Sequence, residues 1–168
     1  MAPDGLLSGK FEAELRIDAA SYVHLSDRQL NDAAAKMHML HNIGKDITYT
    51  ADVAYGVVDQ VMVGLSIPYR QVVDFREGDE DYMLGDPPVD LKKVNIRGFA
   101  DVPVFVHLTL LRSAFKLGVR AGVEVPVGEW NQRAADGAYL ETSHQPGSGS
   151  WGFFGGIAAG DGGGGGGG

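Results

Sequence analysis

Histidine and methionine side chains cluster in the segment KMHMLH, where they offer ligands for a metal ion. Met37, His38 and His41 combine thioether sulfur with imidazole nitrogen, a set that suits copper or haem iron. On a helix, His38 and His41 would lie three residues apart and share one ion. The other interpretation is that both histidines are solvated in a loop, while Met37 belongs to the apolar face of a helix. We expect the second, and therefore no metal site and no cofactor.

Acidic side chains crowd the segment DFREGDEDYMLGD, and their carboxylate oxygens are the ligands that Ca²⁺ prefers. Asp79 and Asp81 are the candidate ligands of this segment. Their spacing does not match an EF-hand loop. We expect a solvated loop, or one that binds divalent ions only loosely.

The segment GSGSW resembles a serine nucleophile motif only superficially. A Gly-x-Ser-x-Gly elbow places each glycine two residues from the serine, whereas Gly147 and Gly149 adjoin Ser148 directly. No strand, turn and helix follow in the required order, and the chain contains no cysteine. We therefore predict that the protein is not an enzyme and that these glycines begin a strand.

A larger set of polar side chains occupies alternate positions of extended segments. If the intervening apolar residues meet lipid, the polar residues line the interior of a barrel and select a solute by charge and size. Small residues such as Gly64, Gly118 and Gly122 would leave space there. The alternative is a narrow interior sealed by ion pairs. The predicted lumen-lining residues are Glu12, Glu14, Arg16, Asp18, Asp52, Ser66, Arg70, Asp101, His107, Lys116, Arg120 and Glu124.

Alternation with a period of two residues predicts the strands that position these side chains. Six such segments lie at residues 10–24, 46–56, 61–71, 100–111, 115–125 and 151–160. Their other faces carry no charge in five consecutive segments, and we predict that these faces contact lipid. The predicted lipid-facing residues are Val61, Val63, Leu65, Ile67, Val102, Val104, Val106, Leu108, Leu117, Val119 and Val123.

The predicted connections alternate in length, with short ones at 57–60 and 112–114 and long ones at 26–45, 71–99 and 126–150. In an up-and-down meander, successive connections lie at opposite ends. All short turns therefore fall at one end, which is the arrangement of outer-membrane barrels.

The first long connection is predicted to contain a short helix. Ser26 is a candidate N-cap with Gln29 three residues later, a capping-box pattern, and Gly44 is a stop signal. Leu30, Ala33, Ala34, Met37 and Leu40 would share one helical face. We expect this helix to pack on the rim of a barrel or in its mouth.

Composition limits the classes of protein. The 168 residues suffice for one domain, and the net charge of -8 argues against nucleic acid as a partner. No segment approaches the roughly 20 apolar residues of a membrane-spanning helix, but closed β-barrels cross membranes without that signal. We interpret the glycines at 162–168 as a tag or as unidentified residues. The expected domain is therefore residues 1–161, and we expect the natural chain to continue.

Four stretches occur in a familiar order over roughly residues 50–160: AYGVVDQVMVGLSIPYR, GFADVPVFVHLTLLR, LGVRAGVEVPVGEWN and PGSGSWGFFGGIAAG. They resemble the outer-membrane β-barrel family named for the meta-pathway of phenol degradation. The matching positions are Ile67 to Tyr69, Gly98 to Asp101, Val125 to Gly128 and Gly147 to Trp151. Val127 replaces the usual threonine, and the chain has fewer strands than such barrels need. The resemblance implies an outer-membrane location and a pore-like, transporter architecture.

The predicted fold is all-β: an up-and-down antiparallel transmembrane β-barrel, with about six strands of a larger barrel and a short helix in the first long loop. The predicted function is passive passage of small, apolar molecules across a bacterial outer membrane. One alternative is a structural scaffold subunit that contacts partners through residues 74–90 and 27–41. Another is a soluble, lipocalin-like barrel around a dry ligand pocket. Expected partners are outer-membrane lipid and lipopolysaccharide, a small-molecule solute, and further copies or a larger membrane complex.

Overall fold

The computed structural model describes residues 5–37, 39–79, 90–112, 115–133, 137 and 139–161. Its elements are β1 (Phe11–Ser21), α1 (Asp27–Met37), β2 (Met39–Val58), β3 (Val61–Asp79), β4 (Asp90–Phe99), β5 (Val102–Arg112), β6 (Phe115–Val125), a 3₁₀ turn (Thr142–His144) and β7 (Gly152–Asp161). The described chain is mostly strand, with one short α-helix, so the predicted all-β class and the helix before β2 are confirmed. No helix among the described residues is both long and apolar enough to span a membrane.

All seven strands belong to one antiparallel sheet in the order β1-β2-β3-β5-β6-β7, with β4 also paired to β3. β5 pairs with Val61–Leu65 of β3, and β4 pairs with Tyr69–Asp79 of the same strand. β4 and β5 therefore form one line along β3 that is interrupted only at Ala100 and Asp101. The sheet is six strands wide, and the six predicted strands occur in the predicted order.

The sheet is not closed into a barrel by the described residues. Within these ranges, β1 pairs only with β2 and β7 pairs only with β6. A closed membrane barrel needs about eight strands, so a sheet of this width is too narrow to close on itself.

The predicted long connection at 71–99 is strand throughout its described residues, so the predicted loop there is wrong. The pairing of β2 with β3 continues as far as Met39↔Asp79, and β4 returns along β3 as a hairpin. The connection of this hairpin, which includes Asp81, lies outside the described residues. Gly44 lies within β2 and does not end the helix, so its interpretation as a stop signal is also wrong.

A bulge at Asp74 explains why alternation did not reveal this extension. Asp74 has a φ of 56°, and the register shifts between the pairs Val72↔Ile96 and Phe75↔Val94. Because of this shift, Val72 and Phe75 pack in the same buried cluster although they are three residues apart. The period-two pattern therefore breaks where the strand continues.

Helix α1 begins at the predicted capping box. The Ser26 amide donates to Oε1 of Gln29 at 2.9 Å, and the Gln29 amide donates to Oγ of Ser26 at 3.3 Å. Leu30 of this helix is fully buried, and α1 packs on β2 and β3 beyond the predicted membrane-spanning part of the sheet.

Acidification is expected to release α1 from the sheet. Hydrogen bonds from Lys93 of β4 and Arg76 of β3 lower the pKa of Asp27 below its usual value. Since the folded pKa lies below the unfolded pKa of about 3.9, this contribution to stability is present above pH 4 and is lost as pH falls through the folded pKa. Hydrogen exchange of the α1 amides, corrected for the intrinsic rate, should accelerate below about pH 4.

The matched control for this experiment is Asp32→Asn, which changes a mostly exposed carboxyl group of the same helix. Asp32 lies 4.0 Å from Arg28, and 68% of its side chain is exposed. We expect Asp27→Asn, but not Asp32→Asn, to produce fast exchange already at neutral pH. Equal protection of α1 at pH 3 and pH 7 in the unmodified protein would contradict the role of Asp27.

Candidate functional site

The sheet has one exposed face and one covered face, and residues paired across the strands define rows on each. One row on the exposed face contains Ala13, Val53, Leu65, Val104, Val123 and Phe153. The adjacent row on the covered face contains Glu12, Ala54, Gly64, Phe105, Gly122 and Phe154. The names exposed face and covered face are used below for the sides that carry these two rows.

The predicted lipid-facing residues occupy alternate positions of β3, β5 and β6 on the exposed face. Val63, Ile67, Val104, Val106 and Leu108 leave 37% to 49% of their surface exposed. Water-soluble sheets normally bury such a face against a core. A contiguous apolar surface across six strands therefore indicates contact with something other than water.

Aromatic side chains lie at both ends of the apolar rows. Tyr69 pairs with Tyr49 on one side and Phe99 on the other, and the Tyr69 and Phe99 rings meet edge to face at 5.3 Å. Phe11 and Tyr55 pair at the opposite end. Tyr49 and Tyr55 are separated by about 20 Å along β2 at about 3.4 Å per residue. Aromatic girdles bound an apolar band of about 25 Å in outer-membrane barrels.

The covered face buries polar side chains between strands. Thr50, His107 and Thr109 are each at most 4% exposed. The N-terminal segment lies against this face, because a Cβ atom at Gly5 would approach His107 and Thr109 to 3.1 Å. This face therefore buries polar side chains beside an apolar cluster of Ala54, Met62 and Phe105.

Aromatic rings from neighbouring strands lie over two glycines of the covered face, so these positions are not open space. A Cβ atom at Gly64 would collide with the Phe105 ring, and one at Gly122 would collide with the Phe154 ring. The guanidinium carbon of Arg120 lies 4.0 Å from the Phe105 ring centroid, a cation–π contact. The expectation that Gly64 and Gly122 widen an interior is therefore wrong, because a side chain from the next strand fills each position.

The structure places the predicted lumen-lining residues in three groups. Those of the edge strand β1 are exposed: Glu12, Glu14, Arg16 and Asp18. Those of β2, β3, β5 and β6 lie on the side of the covered face: Asp52, Ser66, Arg70, His107, Lys116, Arg120 and Glu124. Asp101 lies between β4 and β5, outside both strands.

Opposite charges pair between neighbouring strands, as the sequence predicts. Arg16 lies 3.9 Å from Asp52, which also accepts a hydrogen bond from Ser66. Arg70 binds Asp46 through two nitrogens, at 2.8 and 3.2 Å. These two clusters lie on the covered face, from the middle of the sheet toward the end that carries α1 and the connection from β6 to β7. This end is called the long-connection end below.

Asp101 connects chain segments and does not line the covered face. Its Oδ1 atom accepts a hydrogen bond from the Gly128 amide at 3.0 Å. Its Oδ2 atom accepts bonds from the amide and the hydroxyl of Ser148, at 2.7 and 2.6 Å. Three of the four motifs that carry the family resemblance thus meet at this carboxylate. Sequence reasoning assigned Asp101 to a strand face because the interruption after β4 leaves no mark in the alternation.

Asp101→Ala should destabilise the folded protein by about 2–3 kcal/mol. The substitution removes three hydrogen bonds to one carboxylate, each worth about 1.5–3 kcal/mol alone, and their loss is not additive. Denaturant unfolding measures the change, with Asp59→Ala as the control. Asp59 accepts a single exposed bond, from the Ser8 amide at 3.0 Å. Equal midpoints for the two variants would show that Asp101 does not connect these segments.

Of the predicted metal ligands, only His41 has its side chain within the described part of the chain. His38 and Asp81 lie outside the described residues, and the side chains of Met37 and Asp79 are also outside the description. His41 lies in β2, so its predicted place on a helix is wrong.

His41 instead meets residues that are distant in sequence. Its Nε2 atom lies 3.1 Å from Oε1 of Glu77, and its ring meets the His144 ring edge to face with centroids 4.3 Å apart. Burial, followed by the nearby His41, lowers the pKa of His144. Two imidazole rings and a buried carboxylate therefore share one polar cluster.

Comparisons with protein-family models, curated proteins and solved structures give no match for this chain. The family resemblance of the four motifs stays a prediction. Any function assigned to the chain therefore depends on the chemistry of its two faces and of the cluster around His41.

Proposed function

We propose that this chain forms the wall of a β-barrel in a bacterial outer membrane and admits small, apolar molecules by diffusion. The observation that carries the proposal is the exposed face, which has no charge across six strands between the Phe11–Tyr55 pair and the Tyr49–Tyr69 pair, while polar side chains are buried on the other face. Contact with lipid accounts for this distribution, because hydrocarbon solvates the apolar face and the sheet pairs its own backbone groups.

The strand lengths and connections support the same proposal. β1, β5 and β6 have 11 residues each and β7 has 10. A tilted strand needs about 9–11 residues to cross a bilayer. The tight turn at Asp59 and Gln60 lies at one end of the sheet, whereas α1 and the connection from β6 to β7 lie at the other. Short turns at one end and long connections at the other are typical of outer-membrane barrels.

Closure of the barrel needs strands beyond the six across this sheet. The free edges of β1 and β7 would pair with further strands, either from more of the same polypeptide or from other copies of it. The family resemblance supports the transporter function, since the matching motifs fall on β3, on the junction of β4 and β5, and at the ends of β6 and β7.

A second function, a structural barrel subunit of a larger membrane assembly, is favoured by the side chains of the covered face. The Phe105 and Phe154 rings lie over glycines, and Arg120 stacks on Phe105. These groups narrow the interior in the middle of the sheet. A sealed interior would leave the barrel without a transport path.

Conductance across a planar lipid bilayer separates the two functions. The purified full-length protein is first folded into vesicles and washed with alkaline carbonate, which an integral barrel resists. A channel gives discrete current steps after fusion of these vesicles, and the steps should change when Arg120→Ala opens the narrowed interior. A carbonate-resistant protein without current steps supports the structural subunit. Release by carbonate contradicts both and supports a soluble barrel.

A further inference from the structure

His41, Glu77, Glu141 and His144 converge at the long-connection end of the sheet. His41 and Glu77 are directly paired residues of β2 and β3. The 3₁₀ turn before β7 brings His144 over this pair, and its Nδ1 atom lies 3.9 Å from Oε2 of Glu141. One ligand atom each from His41, Glu141 and His144 fall within 4.8 Å of one another.

One nitrogen in this cluster lacks a hydrogen-bond partner. The Nδ1 atom of His144 is buried and makes no hydrogen bond within the described ranges of the chain. The Glu141 carboxylate, at 3.9 Å, is too far from this nitrogen to accept a hydrogen bond. The Phe75 ring lies on another side of the His144 ring, with the two ring centroids 4.7 Å apart. An unsatisfied buried nitrogen of this kind needs an explanation, and a metal ion supplies one.

We propose that His41, Glu141 and His144 bind a divalent transition-metal ion, with Zn²⁺ as the closest match to these ligands. Imidazole nitrogen and carboxylate oxygen are standard zinc ligands, whereas Ca²⁺ and Mg²⁺ prefer oxygen alone. Zinc ligand atoms lie about 3.4 Å apart for bonds of about 2.1 Å. Binding would therefore bring the three ligand atoms from within 4.8 Å of one another to about 3.4 Å through side-chain rotation.

The charges around the site also fit a dication. Imidazole binds a metal ion in its neutral form, so Glu141 and Glu77 would supply the negative charge that balances the ion. Glu77 is 7% exposed and holds the His41 ring through its 3.1 Å contact, the role that a second-shell carboxylate has at zinc sites. The nearby positive charge of Arg70 is neutralised by Asp46 at 2.8 Å.

A bound ion would fasten the connection between β6 and β7 to the extension of β2 and β3. The described residues on either side of the 3₁₀ turn are mostly irregular. Leu140 anchors them, because its side chain packs in the buried cluster with Val72 and Phe75. The ion would therefore fix the position of this connection over the end of the covered face. The inference does not depend on the proposed function, because the site lies beyond the apolar rows.

Zinc titration of the full-length, chelator-treated protein by calorimetry tests the proposal. We expect one Zn²⁺ per chain, with no comparable binding of Ca²⁺ or Mg²⁺. His41→Ala and His144→Ala should each weaken zinc binding about 100-fold or more, and Glu77→Gln about tenfold. His24→Ala is the matched control, because 64% of the His24 side chain is exposed and it lies outside the cluster. It should leave the affinity unchanged.

Two further measurements keep the test decisive if a histidine variant fails to fold. Glu141→Gln alters a side chain that is 49% exposed and should fold while weakening zinc binding. Zinc should also slow proteolysis at residues 126–151 of the unmodified protein. The proposal is overturned if the unmodified protein shows no saturable zinc binding, if binding survives in both histidine variants, or if Ca²⁺ binds as tightly as Zn²⁺.

Discussion

Replacing Arg76 with alanine is expected to destabilise the protein by about 3 kcal/mol and to release α1. The Arg76 side chain is only 2% exposed, and it donates to Asp27 at 3.0 Å and to Asn42 at 2.6 Å. Its Nε atom lies 3.3 Å from Asp74. Removing one member of a buried ion pair costs about 3–5 kcal/mol. We expect the lower end of this range because water partly screens Asp27 and Asp74.

The control for this prediction is Arg28→Ala in the same helix. Arg28 is 92% exposed and 4.0 Å from Asp32, so its loss should cost less than about 0.5 kcal/mol. Denaturant unfolding gives the free energies, and hydrogen exchange of α1 shows whether the helix detaches. A cost for Arg76→Ala no larger than that for Arg28→Ala would mean that Arg76 does not hold the helix.

Leu65→Arg is expected to prevent stable insertion of the sheet into a membrane. Leu65 lies in the middle of a row on the exposed face, between Val53 of β2 and Val104 of β5. A lipid-facing arginine near the middle of a bilayer costs about 2–4 kcal/mol. The measurement is the unfolding free energy in lipid vesicles, together with the yield of carbonate-resistant protein.

Val58→Arg is the matched control for Leu65→Arg. Val58 is 48% exposed and lies at the end of β2, beside the tight turn. The cost of a lipid-facing arginine falls to about 0–1 kcal/mol near the membrane interface, so Val58→Arg should insert nearly normally. If lipid does not cover the exposed face, both variants should fold equally well.

Local patterns predicted the middle of the sheet and the start of the helix. β5 and β6 each keep one continuous apolar face over most of their length, so alternation located them to within two residues. The capping box at Ser26 and Gln29 was equally readable, because every contact in it spans only three residues.

The long-connection end was not predictable because its contacts are distant in sequence. Both faces of β3 are covered there, since Phe75 packs under the connection to β7 and Arg76 contacts α1. The bulge at Asp74 then breaks the period. His144 reaches His41 from about 100 residues away, so no local spacing indicates the cluster. The sequence prediction grouped His41 with Met37 and His38 because it assumed that the helix continues to His41, whereas His41 lies in β2.

A single-cysteine scan of Val61–Tyr69 tests most directly the claim that lipid covers the exposed face. The chain contains no cysteine, so each variant carries a spin label at one position only. In lipid vesicles, labels at odd positions such as Val63 and Leu65 should be accessible to oxygen, which partitions into the bilayer. A label at the even position Ser66 should be shielded from it. High accessibility of the odd positions to a polar nickel reagent instead would show that this face meets water, and the membrane account would be wrong.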